Sequence, residues 1–214
     1  MRAAIDNDIL FKGACYGLLV DLVSTVCPAN GAVGVLGSAR FVLPKKIAGS
    51  ALRRDHASVL QALFEFLGRA TVLEPLGGEQ DMAADLELAA QELGVSLDAG
   101  ESQLCAIMVH RLLPLLFTGD KRAITALERL LDADPRLVPI AGKVMCLEQA
   151  FVLALARDGC DTWRRAVCAE PGVDKALTIC FSCHSESVPE QSHRDGLQSY
   201  ISALRCVAAR VLAP

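Results

Sequence analysis

Apolar and polar positions follow two alternating rhythms along the first two thirds of the chain. Residues 3–5 are a short apolar run ending at Asp6, after which Ile9, Leu10, Ala14, Leu18, Leu19 and Leu22 recur at helical spacing to about residue 26. The Gly- and Ala-rich segment 28–38 reads as a loop, and Phe41-Val42-Leu43 as a short buried strand. Pro44 then suits the start of a helix reaching residue 68, bent near Gly49. Thr71-Val72-Leu73 is a strand closed by Pro75, and residues 81–93 and 101–113 are helices. A fourth strand follows at 115–118 and a helix at 121–131, with a weak fifth strand at 137–140. From 142 onward only helical patterns remain, near 143–157, 162–168, 173–180 and 194–212, with 183–192 as their exposed loop.

Strands that alternate with helices imply right-handed crossovers and a mostly parallel sheet covered on both faces. The expected fold is therefore a three-layer α/β/α domain over residues 1–141, with a central sheet of four to five strands. Residues 142–214 form a helical C-terminal extension packed on it.

Composition sharpens this picture. Apolar residues make up 52% of the chain and charged ones 21%, which excludes general disorder, while 5% aromatics leave the packing to aliphatic side chains. Lys12, Asp21 and Arg157 interrupt the apolar stretches before any reaches membrane-spanning length. Asp6 and Asp8 stand where a secretory signal needs an uncharged run, so a cytoplasmic location is expected, with the nine cysteines as free thiols. The net charge of −4 argues against a surface that coats nucleic acid broadly and leaves room for a local basic patch.

Ligands of parallel α/β sheets bind beyond the carboxyl ends of the strands, where this reading puts Asp6, Asp8 and Asp120. Glu101 opens a helix that can face the same place. Clustered carboxylates need a compensating cation, and Mg²⁺ or Mn²⁺ prefers such oxygen donors. Metal-assisted phosphodiester hydrolysis uses this arrangement.

Three motifs then stand in a particular order. Asp6-Asn7-Asp8-Ile9-Leu10 is similar to the opening acidic corner of the PIN domain family, and Gly100-Glu101 before Leu104-Cys105-Ala106 to its Gly-Glu helix start. Phe117-Thr118-Gly119-Asp120 resembles its Thr-x-Asp strand end. The resemblance covers roughly residues 2–140. It implies a Mg²⁺- or Mn²⁺-dependent nuclease acting mainly on RNA, with Asp6, Glu101 and Asp120 as metal-binding carboxylates and Asp8 as a supporting acid. One departure is visible. The frame from Pro44 to Leu52 matches the family's Pro-x-x-aliphatic helix pattern, but Ser50 or Ala51 stands where the family carries a Glu. A degenerate PIN-like module that binds nucleic acid or a protein partner without cutting is therefore the alternative. The C-terminal helices would serve it as an interaction or dimerisation surface.

Other constellations are weaker. Asp6-Asn7-Asp8 also resembles the first motif of haloacid dehalogenase phosphatases, but Ile9-Leu10 replace that family's small residues and Gly119-Asp120 lacks the second acid expected after it. Lys45, Lys46, Arg53 and Arg54 fall in one predicted helix as candidate phosphate contacts, against the plainer reading of a solvated basic face. Cys180, Cys183 and His184, with His193, hint at zinc without a second cysteine pair to complete a site. His110 reads as a packed residue of an apolar helix.

Overall fold

The computed structural model describes residues 3–27, 32–185 and 188–214; residues 28–31 of the expected first loop and 186–187 of the expected last one lie outside the described residues. Five parallel strands form one sheet in the order β3-β2-β1-β4-β5: β1 Ala3–Ile5, β2 Val33–Leu36, β3 Thr71–Leu73, β4 Leu116–Thr118 and β5 Val144–Cys146. The chain lays down β1, β2 and β3 toward one edge and then returns to place β4 and β5 on the other side of β1. The topological switch point thus lies between β1 and β4.

The helices are α1 Asn7–Tyr16, α2 Leu19–Val26, α3 Ala39–Ala48, α4 His56–Leu67, α5 Gly77–Glu92, α6 Ala99–His110 and α7 Lys121–Ala133. After a 3-10 turn at Pro135–Ile140 come α8 Leu147–Asp158, α9 Asp161–Ala169, α10 Lys175–Cys180 and α11 Glu190–Val207. Strand alternation divides the core. Ala3, Ile5 and Phe117 face a cluster built with α1–α4, α8–α10 and the start of α11, whereas Ala4, Leu116 and Val144 face one built with α5–α7, the end of α11 and the C-terminal tail. This is the expected three-layer α/β/α fold with C-terminal helices. Among the described residues, no helix is long and apolar enough to cross a membrane.

Several local expectations are corrected. The helix foreseen to residue 26 breaks at Gly17, whose φ of 69° caps α1 in the left-handed region. Phe41-Val42-Leu43 is helical, because α3 starts at Ala39 and buries Leu43 and Ile47 against α4; Pro44 sits inside it rather than at its start. The strand lies earlier, at Val33–Leu36, within the segment read as a loop. Residues 44–68 are two helices separated by 49–55, a connection held where the backbone N–H groups of Arg53 and Arg54 donate to the buried carboxylate of Glu170. Residues 137–140 form no strand, since Pro135 and Pro139 lack the N–H that a ladder needs.

The fifth strand comes instead from beyond the boundary expected at 141/142. Val144 also takes the C-terminal tail alongside it, with Val144 N–H donating to Val211 O at 3.0 Å and Ala213 N–H to Val144 O at 2.8 Å. The extension is thus continuous with the sheet. Cys168 and Cys183 form a disulfide, so the expectation of nine free thiols fails at that pair, and Cys183 cannot act as a zinc ligand while bonded.

Candidate functional site

Asp6 follows the last residue of β1 and caps α1, its Oδ1 accepting from Asn7 N–H at 2.7 Å. Asp120 follows β4 by two residues and caps α7, accepting from the N–H groups of Arg122 and Ala123. Thr118 ties the two strand ends together. Its hydroxyl donates to Asp6 Oδ2 at 2.9 Å and accepts from Asp120 N–H at 3.2 Å. From the third side, Asp98 and Glu101 form a reciprocal capping box on α6: Glu101 N–H donates to Asp98 Oδ1 and Asp98 N–H to Glu101 Oε2, both at 2.8 Å.

These elements enclose a cavity of about 620 Å³ at the carboxyl edge of the sheet, lined by Asp6, Asp8, Asp98, Glu101 and Asp120. The structure therefore gathers all four sequence-predicted acids and adds Asp98, which the motifs did not single out. The Asp-x-x-Glu spacing of a capping box was the signal that could have found it. Thr118 was likewise legible only as part of a motif, not as the link between two acids.

The acids differ in how their charge is met. Asp8 pairs with Lys12 at 2.6 Å and with Lys46 at 3.8 Å; Lys12 in turn meets Asp174, the N-cap of α10, at 2.7 Å. Asp120 pairs with Arg122 at 2.8 Å, and although burial opposes it, that guanidinium holds the carboxyl below its ordinary range. Asp6 and Glu101 instead border a narrow apolar crevice with Leu104, Leu116 and Leu127. Burial raises Asp6 to about 6, the Thr118 hydrogen bond opposing and Asp8 adding to the rise. Burial likewise raises Glu101 to about 8, opposed by the Asp98 N–H and reinforced by the charges of Asp98, Asp120 and Asp6.

Among the described residues, no three His, Cys, Asp or Glu are drawn into a ready metal-ligand cluster. Asp8 and Asp120 are instead paired with lysines and an arginine. The donor chemistry of Asp6 and Glu101 still fits a hard divalent cation. Asp6 is buried and Glu101 partly so, both are crowded by negative charge, and Mg²⁺ needs only one or two carboxylates because it keeps several of its waters.

The resemblance put a missing Glu at Ser50 or Ala51. Both residues lie beyond the end of α3, and the α3 side chains that line the cavity are Val42, Leu43 and Lys46. A lysine of α3 thus enters the pocket. Lys46 is held between Asp8 and the ring of Phe11, 4.4 Å from its centroid. Of the four candidate phosphate contacts, Lys45 and Lys46 are on α3, whereas Arg53 and Arg54 lie in the following connection and not in one helix with them. His110 ends α6 exposed, away from the cavity, rather than packed. His193 is buried, its Nδ1 3.0 Å from Cys180 O.

The fold and the cavity together define a class: an open parallel α/β sheet with a carboxylate-lined cleft at its switch point, where such sheets bind ligands. Comparison with family models gives no match, and comparison with curated proteins gives none.

Proposed function

We propose that the chain is a metal-dependent nuclease of PIN type that hydrolyses phosphodiester bonds in single-stranded or structured RNA. One observation carries this reading: Asp6, Glu101 and Asp120, far apart in the sequence, line one cavity at the switch point of a parallel sheet. A bound Mg²⁺ or Mn²⁺ would activate water and neutralise charge on the departing oxygen.

The chain's own residues have distinct parts in it. Thr118 fixes the orientation of Asp6, and the capping box fixes Glu101. Glu101 carries a proton at neutral pH as long as no cation compensates it, so loading the site with a divalent ion should release protons. Incubation of structured and unstructured RNA with Mn²⁺ tests the proposal beside an Asp6→Asn, Asp120→Asn double variant. Cleavage by the wild type alone supports it, and equal cleavage by both means a contaminant and sinks it.

Lys46 and Arg122 favour a second reading, a PIN-like module that binds without cutting, since each meets an acid of the cavity with a built-in cation. Mn²⁺ that neither raises the melting temperature nor displaces protons would select this reading.

A further inference from the structure

The proposed nuclease site has an unexplained outer face. α3 turns Leu43 and Ile47 inward, yet it leaves Phe41 67% exposed, next in the chain to Val42, which is 48% exposed and lines the acidic cavity. The part of an aromatic ring left in water gains nothing from burial. Its surroundings are also unlike the rest of the chain. Between Ser38 and Arg54 the sequence carries Arg40, Lys45, Lys46, Arg53 and Arg54 and no acid, in a protein of net charge −4. Phe41 and Lys45, four residues apart, share a helix face, and Arg40 is exposed beside them.

We infer that α3 is a stacking platform for an unpaired nucleobase, which defines the substrate as single-stranded. Phe41 supplies the ring face, Arg40 and Lys45 meet the flanking phosphates, and Val42 and Lys46 lead the strand toward Asp6 and Glu101. Aromatic rings beside a basic track bind single strands in a sequence-tolerant way because every base has a π-face. A duplex keeps its bases stacked on one another and gains nothing from Phe41. The inference rests on the reading of the cavity as a nucleic-acid site; it concerns binding and needs neither metal nor cleavage.

The test is fluorescence anisotropy of the full chain with a short, labelled, unstructured RNA in EDTA, beside a duplex of the same sequence. Phe41→Ala is expected to weaken single-strand binding by about fivefold to a hundredfold, the span of one base–aromatic stack. Phe41→Trp restores it, and the exposed control Leu88→Ala on the opposite layer leaves it unchanged. An RNA carrying abasic sites binds the wild type as weakly as the parent RNA binds Phe41→Ala. Lys45→Ala leaves one phosphate unneutralised and so lowers the salt dependence of binding by about 0.7 in log–log slope.

Phe41 is exposed enough for its replacement to spare the fold. Undiminished RNA binding by Phe41→Ala, or equal binding of duplex and single strand, overturns the inference and leaves the ring to a protein contact. Cleavage with Mn²⁺, measured in parallel, reports separately on the nuclease proposal: Phe41-dependent binding without cleavage keeps the platform and removes the nuclease.

Discussion

Lys121 and Glu148 meet at 2.5 Å beside the acidic cavity, with Glu148 only 1% exposed and Lys121 lying over the ring of Tyr200. Taking one partner from a buried pair leaves an uncompensated charge, which typically costs about 3–5 kcal/mol. Lys121→Met should therefore lower the stability measured by urea unfolding toward the lower end of that range, because Lys121 is partly solvated. Lys121→Met combined with Glu148→Gln should recover most of the loss; a double variant as unstable as the single one would show that poorer packing, not charge, is responsible.

The two raised carboxyls make a second prediction at the same scale. In EDTA, Asp6 and Glu101 bind protons more tightly folded than unfolded, since their folded values of about 6 and about 8 exceed the ordinary 3.8 and 4.5. Their stabilisation is complete below the ordinary values and is lost as pH rises through the folded ones. Between about pH 5 and pH 9 the melting temperature should fall, and Glu101→Gln should flatten the upper part of that fall. An unaltered slope in the variant would disprove the coupling.

At the scale of elements, the break between α1 and α2 depends on Gly17. A side chain there would be held at a φ of 69°, and its Cβ would run into the guanidinium of Arg54. Gly17→Ala should cost about 1–2 kcal/mol by the left-handed penalty alone, read as a lower urea midpoint at unchanged slope. An unaffected midpoint would mean that the two helices can fuse. Elements also show where sequence reading fails. A three-residue apolar run such as 41–43 suits strand and helix equally, and the decision came from burial of Leu43 and Ile47 on one helical face. β2 was hidden because Gly34 lacks strand character, yet it is buried between Ala4 and Thr71 as the parallel partner of both. Caps are local by contrast: Asp6, Asp120 and the Asp98/Glu101 box act over at most three residues.

For the whole molecule, the extension is part of the domain. It supplies β5, the Phe151, Trp163 and Phe181 cluster with centroids 5.4 and 5.6 Å apart, and Asp174, which holds Lys12 against Asp8. Arg210 and the Val211 N–H further bind the tail to Glu128 on α7. A fragment of residues 1–141 should consequently fail to fold, giving collapsed amide dispersion and no cooperative melt, where the full chain melts in one transition. A cooperatively folded fragment would restore the boundary that the periodicity suggested.

The sequence by itself determined what acts over a few residues: the strand–helix alternation, the acids that follow β1 and β4, and the caps that place their carboxyls. Only the tertiary structure decided that Asp6, Glu101 and Asp120 share one cavity, that Lys46 and Arg122 answer two of its charges, and that burial pushes the Asp6 and Glu101 carboxyls above their ordinary range. Desolvation and Coulomb interaction depend on distance through space and on what excludes water, and neither is written in the spacing of residues along the chain.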